Sequence, residues 1–162
     1  LKKRKQKAKE NWEKKPQYVK DQMFKSAAQG VAKAGREGSK IEKFLIKGLM
    51  NAGYNVIPHK ESLVLNTNLQ IDLFIPELKL AIEIDGPSHF LPIWGEEKLK
   101  QRIAMDKDKN GLLIQGGYSI IRVKCLIKNM TGKKSRTVLD FILNEMEKNK
   151  GCGIFYSEIE VK

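Results

Sequence analysis

The chain has 162 residues, of which 41% are hydrophobic and 31% charged, and its formal net charge is +12 at pH 7. This length and apolar content suit one domain with a real core, and no apolar run is long enough to span a membrane. So basic a domain usually binds a polyanion, which favours nucleic acid and leaves an anionic membrane surface as the alternative. The cysteines and histidines lack zinc-type spacing, and we expect Cys125 and Cys152 to be buried or incidental thiols in a reducing cytosol.

Residues 1–38 differ in composition from the rest of the chain, because the stretch from Leu1 to Lys15 is dominated by lysine. Two interpretations stay open: a solvated arm or linker, and an arm that follows phosphates. The second gives the arm four DNA-binding residues: Lys2, Lys3, Arg4 and Lys5. Since the first residue is not Met, we expect the chain to be a fragment of a longer protein.

The compact part is predicted to begin at residue 39 with a helix. Ser39 and Glu42 match a capping box, apolar residues follow at helical spacing, and Gly53 can end the helix. Glu42 lies one turn before Leu45 and Ile46, so it leans toward the core side. Its role is left open between capping partner and site acid.

Strands are predicted next. Residues 62–66 form one, followed by a turn at Thr67-Asn68. Clean alternation of apolar residues predicts two more strands, over Leu69 to Ile75 and over Leu78 to Ile84. A two-residue turn at Pro76-Glu77 joins these two strands into a hairpin.

Two acids face each other across this predicted hairpin. Asp72 pairs opposite Ala81, and Glu83 is then its diagonal neighbour, roughly 7–8 Å away at the backbone. Neighbouring carboxylates repel, and a divalent cation with oxygen ligands would explain why they coexist. A solvated sheet face is the alternative interpretation. Asp85 follows on the same face and strengthens the interpretation that these acids bind a divalent cation.

The second half of the chain is predicted to be helix, strand, helix and strand. The segments are Glu96 to Leu113, Tyr118 to Lys124, Ser135 to Lys148, and Ile154 to Val161. Together with the first half, this order predicts an α/β fold with a mixed central sheet flanked by helices.

His89 and Asp106 add to the acids. His89 lies in the loop after the Gly86-Pro87 turn, and Asp106 lies on the inward stripe of its helix with Leu99, Ile103 and Leu113. A lone carboxylate in that position is costly unless it has a partner. The alternatives are an ordinary loop histidine and an acid that reaches water. We expect Asp108 to be a solvated charge, and His59 has no partner that the sequence identifies.

Taken together, several residues form a pattern: Asp72, then Glu83-Ile84-Asp85-Gly86, His89, Asp106, Gly117-Tyr118, Arg122 and Cys125. This pattern resembles the very-short-patch-repair endonucleases. It is still more similar to the related phage homing endonucleases with the EDxHD active site, a branch of the PD-(D/E)XK nucleases. The resemblance covers residues 39–125 and implies a PD-(D/E)XK nuclease-like fold, with residues 39–162 as the catalytic domain.

The resemblance implies four catalytic residues: Glu42, Asp72, His89 and Asp106. We expect Asp72 to bind Mg²⁺, or another divalent cation such as Mn²⁺, with Glu83 or the Ile84 carbonyl nearby. The superfamily usually places a lysine two positions after the strand acid, where this chain has Asp85. We therefore expect His89 to activate the water, and we keep Asp85 as an additional site acid.

The implied function is site-specific hydrolysis of double-stranded DNA by a homing-type endonuclease, with Arg102 and Arg122 among the DNA contacts. The zinc ligands of the mismatch-repair relatives are missing, which favours the homing type. A mismatch-type nicking endonuclease and a catalytically inactive DNA-binding module stay open as alternatives. We expect no membrane association and, for a phage protein, the cytoplasm of a bacterial host; a homodimer is left open.

Overall fold

The computed structural model describes residues 16–19, 21–22, 25, 38–64, 69–92, 95–127 and 130–162. The chain divides into two units, Leu1–Ser39 and Lys40–Lys162. In the first unit, residues 17–19 and 21–22 are helical, and the Gln17 amide donates a hydrogen bond of 2.9 Å to Asp21. The four basic residues predicted to bind DNA at the N-terminus lie outside the described residues. Among the described residues, no helix combines the length and apolarity needed to cross a bilayer.

The second unit holds three α-helices and five strands among its described residues. In chain order they are α1 (Lys40–Asn51), β1 (Ile57–Glu61), β2 (Gln70–Ile75), β3 (Leu80–Asp85), α2 (Glu96–Gln115), β4 (Ser119–Cys125), α3 (Gly132–Lys148) and β5 (Tyr156–Val161). Two short 3₁₀ helices, Pro76–Leu78 and Pro87–His89, follow β2 and β3.

The five strands form one sheet in the order β1-β2-β3-β4-β5. The first three strands pair antiparallel, whereas β4 runs parallel to both β3 and β5. Apolar residues of α1 and α3 pack on one face of the sheet, and Leu113 of α2 packs on the other. The predicted α/β fold with a mixed sheet between helices is therefore confirmed.

Helices α1 and α3 owe their place to apolar residues spaced four apart. Ile41, Leu45 and Leu49 are buried on α1, and α3 buries a matching row that includes Val138, Ile142 and Met146. Burying one such side chain stabilises the fold by about 1.5–3 kcal/mol. The two helices approach closely at Gly48, where a Cβ atom would overlap the Leu139 side chain.

The predicted strand at residues 62–66 is wrong for residues 62–64, and residues 65–66 lie outside the described residues. The strand is β1, which ends at Glu61, while Ser62 has a left-handed φ of 55° and Leu63 and Val64 pack against the α2-side core. Pro58 is compatible with this strand because β1 lies at the edge of the sheet, where a residue without an N–H is tolerated. The predicted turn at Thr67-Asn68 lies outside the described residues.

The turn between β2 and β3 is also longer than predicted. Pro76 begins a 3₁₀ turn that closes at Lys79 with a left-handed φ of 45°. As a result Phe74, and not Asp72, pairs with Ala81. Extended one position beyond its last pair, Leu73 and Ile82, this register sets Asp72 opposite Glu83 instead of diagonal to it.

Helix α2 does not bury the predicted stripe. Ile103 is 41% exposed, and Leu113 alone among the described apolar residues of α2 is fully buried. The side that meets the sheet instead includes Asp106, Lys109 and Leu113 at helical spacing, the first two of them half-buried. The amino-terminal part of α2 thus lies over a polar end of the sheet, which is where the candidate site lies.

Candidate active site

The site forms where β3 ends and α2 crosses the sheet. Asp85 is the last residue of β3, and the next residues turn at once into the 3₁₀ helix Pro87–His89. The His89 N–H donates to the Gly86 carbonyl at 3.0 Å. This tight turn returns the His89 side chain toward the end of the strand that it has just left.

His89 is held between two carboxylates. Its Nδ1 lies 2.9 Å from Asp106 Oδ2, in a hydrogen bond, and 3.3 Å from Asp85 Oδ1. Burial acts to raise the pKa of Asp106, but the His89 hydrogen bond and the Arg122 charge together hold it below its ordinary value. An ionised Asp106 requires a proton on Nδ1. In the neutral ring, Nε2 is then left to accept a proton.

Arg122 of β4 locks these carboxylates in place. Its Nη2 donates to Asp85 Oδ1 at 3.1 Å and lies 3.2 Å from Asp106 Oδ1. Its Nε lies 2.8 Å from Asp85 Oδ2, although the angle is unsuitable for a hydrogen bond, so that contact is an ion pair only. Burial lowers the pKa of Arg122, yet the charges of Asp85 and Asp106 outweigh it and raise the pKa. We name Asp85, His89, Asp106 and Arg122 the His89 cluster.

Two members of the cluster, Asp85 and Arg122, form a buried ion pair. Asp85 is 3% exposed and Arg122 5% exposed. Burial raises the pKa of Asp85 even though Arg122 and His89 oppose the shift. Removing one partner from such a buried ion pair leaves the other charge without compensation. The prediction that Arg122 contacts DNA phosphates is not supported by this burial; its position suits holding the acids.

Asp72 lies on β2 beside the backbone of β3. Its Oδ2 accepts a hydrogen bond of 2.7 Å from the Ile84 N–H. Burial raises the pKa of Asp72, the Ile84 hydrogen bond opposes that shift, and the neighbouring charges of Glu42 and Asp85 add to it. The structure therefore brings the predicted Asp72 and Glu42 into one electrostatic neighbourhood.

Glu83 is the most perturbed acid of the site. It is 4% exposed, and burial, with a smaller contribution from Asp72, raises its pKa to about 7 against the attraction of Lys109. The Lys109 ammonium lies 2.7 Å from Glu83 Oε2 and also donates to the Gln70 carbonyl. Within the described part of the chain, Glu83 Oε1 is buried without a hydrogen-bond partner. We name Asp72 and Glu83 the carboxylate pair.

Two residues of this region were not predicted. Lys109 sits one turn after Asp106 on α2, and His59 Nε2 lies 3.7 Å from Glu42 Oε2. His59 falls between two paired positions of β1, which sets it across from Asp72, and its φ of 49° is left-handed. The helical spacing of Asp106 and Lys109 could have indicated the lysine. The position of His59 depends on strand pairing that no local pattern reveals.

Two places in the site could hold a cation. Among the described residues, Asp85, His89 and Asp106 offer three ligand atoms within 4.8 Å of one another. That group already carries the positive charge of Arg122. The carboxylate pair offers fewer converging side chains, but it has the unpaired Glu83 Oε1 and the additional charge of Glu42 close to Asp72. Its oxygen ligands suit a hard divalent cation.

The remaining predicted residues lie nearby or outside the site. Ile84 is half-buried beside Asp72. Arg102 is exposed on α2, and its Nη1 donates a hydrogen bond of 3.0 Å to Ser88 Oγ. Asp108 is exposed. The structure thus gathers Glu42, the carboxylate pair and the His89 cluster at one end of the sheet, with Arg102 on the surface beside them.

No known protein-family model matches the sequence, and none of the curated proteins is similar enough to count as a relative. The resemblance to EDxHD homing endonucleases therefore stays a prediction, and any functional argument depends on the site itself.

Proposed function

We propose that this chain is a divalent-metal-dependent endonuclease of the homing type, which hydrolyses phosphodiester bonds at specific sites in double-stranded DNA. The main support is the juxtaposition of a carboxylate-held histidine, His89, with half-buried Asp72 and buried Glu83. The net charge of +12 supports DNA as the substrate.

The carboxylate pair, with the Ile84 carbonyl, would hold Mg²⁺ or Mn²⁺. The unpaired Glu83 Oε1 and the raised pKa of both acids fit this role, because a cation would stabilise their ionised forms. When bound, such an ion polarises the phosphate and stabilises the leaving oxygen.

His89 takes the proton from the attacking water at Nε2. Asp106, bonded to Nδ1, fixes the orientation of the ring and stabilises the imidazolium that results. Arg122 keeps Asp106 and Asp85 in place from the buried side. Positioning of this kind contributes much of the acceleration in phosphoryl chemistry, where little covalent work is needed.

The test is cleavage of supercoiled plasmid and phage DNA with Mg²⁺, with Mn²⁺ and with chelator. The wild type should cut only with metal, and His89→Ala should cut about 10²–10⁴-fold more slowly, the usual effect of losing general acid–base catalysis. Asp106→Asn should also be slow, whereas Asp108→Asn, two positions away and exposed, should cut normally. Wild-type activity in His89→Ala would refute the proposed base.

An inactive DNA-binding module is the second candidate, and one observation favours it. Lys109 and Arg122 form ion pairs with Glu83, Asp85 and Asp106. A site without a metal ion would need such side-chain cations to balance its acids. Metal-independent DNA binding without cleavage of any substrate would support this candidate. Preferential nicking of a mismatched duplex would instead indicate a mismatch-type enzyme.

A further inference from the structure

A cavity of about 380 Å³ opens beside the His89 cluster. This volume lies near the lower end of the roughly 300–1,000 Å³ typical of ligand sites. Besides the cluster itself, its wall includes Phe90, Ile103, Lys107, Asn110, Lys124 and Tyr156. The cavity therefore adjoins the atoms that we propose for catalysis, and the proposed mechanism does not use its other walls.

The wall is mainly apolar and includes two aromatic rings. Phe90 follows His89 directly, and their ring centroids lie 6.2 Å apart. Tyr156 is 43% exposed and Ile103 41% exposed, high values for large apolar side chains. Burial, with the hydrogen bond to Glu158, raises the pKa of Tyr156 to about 12, so its ring stays neutral. Such a surface suits a flat, uncharged ring.

Asn110 gives the cavity a polar group. Its Oδ1 is buried and has no hydrogen-bond partner among the described residues. A buried acceptor without a partner is unfavourable. Because Oδ1 is closed to solvent, the amide must turn toward the cavity for a ligand that donates a hydrogen bond to satisfy it. The amide of asparagine both donates and accepts, which is the pattern needed to read the edge of a nucleobase.

The cavity wall has three cations, Lys107, Arg122 and Lys124, and two acids, Asp85 and Asp106, both of which contact Arg122. Lys107 is exposed, and Lys124 lies 2.7 Å from Glu158 and shares its charge with that carboxylate. Contacts from lysine to phosphate position a nucleic acid, whereas contacts to the edge of a base distinguish one sequence from another. Lys107 is therefore the cation best placed to meet a phosphate next to a bound base.

We propose that this cavity binds one nucleobase of the DNA strand next to the scissile phosphate, stacked on Phe90 or Tyr156 and read by Asn110. The proposal rests on the proposed function and deepens it, because it names a determinant of specificity. A base must leave its stack to enter, so the cavity favours a base that is weakly paired.

The four 2′-deoxynucleoside 5′-monophosphates and inorganic phosphate serve as probes, titrated into the full chain without metal. The side-chain amide resonance of Asn110 should shift with nucleotides and not with phosphate. Tyr156→Ala should weaken binding about tenfold through lost stacking, and Tyr156→Phe should bind within about threefold of wild type, since it keeps the ring. Asn110→Ala should reduce the differences among the four nucleotides, whereas Asn144→Ala, exposed on α3, should not.

Equal shifts with phosphate alone, or equal nucleotide affinity in wild type and in a folded Tyr156→Ala, would overturn the base-binding proposal. Plasmid cleavage separates this failure from failure of the proposed function. If the chain binds nucleotides but does not cut DNA with metal, the base-binding proposal would stand and the nuclease proposal would be refuted. If Asn110→Ala and Tyr156→Ala cut DNA with the rate and sequence preference of the wild type, the nuclease proposal would stand and the base-binding proposal would be refuted.

Discussion

The His89 cluster and the carboxylate pair lie side by side, yet they are built differently. In the cluster, both acids contact Arg122, and His89 lies between them. In the carboxylate pair, Lys109 contacts one oxygen of Glu83 while the other is buried without a partner in the described part of the chain. Each region holds two acids and one permanent cation; both acids of the cluster contact their cation, whereas in the pair only Glu83 contacts Lys109 and Asp72 has the charge of Glu42 nearby.

The cluster is the fixed region of the site, and the carboxylate pair is the adaptable one. A buried network in which both acids contact the same arginine and the same histidine holds its members in one geometry, as a histidine that must point at a substrate requires. Burial raises the pKa of Asp85 as well, but Arg122 already lies against that acid. In the pair, Glu83 Oε1 has no hydrogen-bond partner among the described residues, so an arriving cation would relieve the cost of ionising Glu83. The comparison assigns orientation to the cluster and cation binding to the pair.

The largest expected effect is on cleavage by Asp72→Asn. The substitution keeps the shape of the side chain and removes a charge that the ion requires, so cleavage should fall by at least about 10³-fold. DNA binding should persist, and Mg²⁺ affinity measured by calorimetry should fall. Asp140→Asn on the exposed side of α3 is the matched control.

The alternative position for the cation makes the comparison sharper. If Asp85→Asn removes metal binding while Asp72→Asn retains it, the ion sits in the His89 cluster and the assignment is reversed. Full activity of Asp72→Asn with ordinary magnesium dependence would end the proposal for the carboxylate pair.

The next effect is on stability, through Arg122. Arg122→Met keeps much of the volume and leaves Asp85 and Asp106 without their buried cation, which should cost about 3–5 kcal/mol of unfolding free energy. Urea denaturation measures it, with Arg102→Met on the surface as the control. Adding Asp85→Asn should recover part of the loss, because the two residues share one interaction. Strictly additive losses would mean that the cluster is not a coupled network.

Much of the fold follows from local patterns, and that part of the prediction is confirmed. The apolar residues of α1 recur every four positions and those of β2 alternate, so each segment indicates its own structure. The strand at Ile57–Glu61 was not predicted, because its residues do not alternate between apolar and polar and its place depends on pairing with β2. Pro58 is tolerated there only because the assembled sheet puts β1 at its edge.

The site was predictable where its residues are close in sequence. Asp85 and His89 are joined by one turn, and their meeting follows from that turn. Lys109 and His59 reach the site through the packing of α2 on the sheet and the register of β1 on β2. Those are long-range features, and a one-position change in register would turn each strand side chain to the other face.

The smallest effect, and the one that compares the two regions most directly, is on the pH dependence of stability. The pKa of Glu83 rises on folding from 4.5 to about 7. Its stabilising contribution is therefore complete below pH 4.5 and is lost as pH rises through about 7. Glu83→Gln cannot ionise, so its advantage over wild type in unfolding free energy should grow across this interval by ~3 kcal/mol, at about 1.4 kcal/mol per pKa unit.

Asp106 should show the opposite sign: its pKa is lowered, so its contribution is present at neutral pH and is lost as the solution becomes acidic. Urea denaturation at several pH values compares wild type with Glu83→Gln and Asp106→Asn, and Asp108→Asn serves as the flat control. Added Mg²⁺ should stabilise wild type at pH 8 more than Glu83→Gln, because the ion favours ionised Glu83. Equal slopes for Glu83→Gln and Asp106→Asn would show that folding does not shift the two pKa values in opposite directions, and the division between orientation and cation binding would fail.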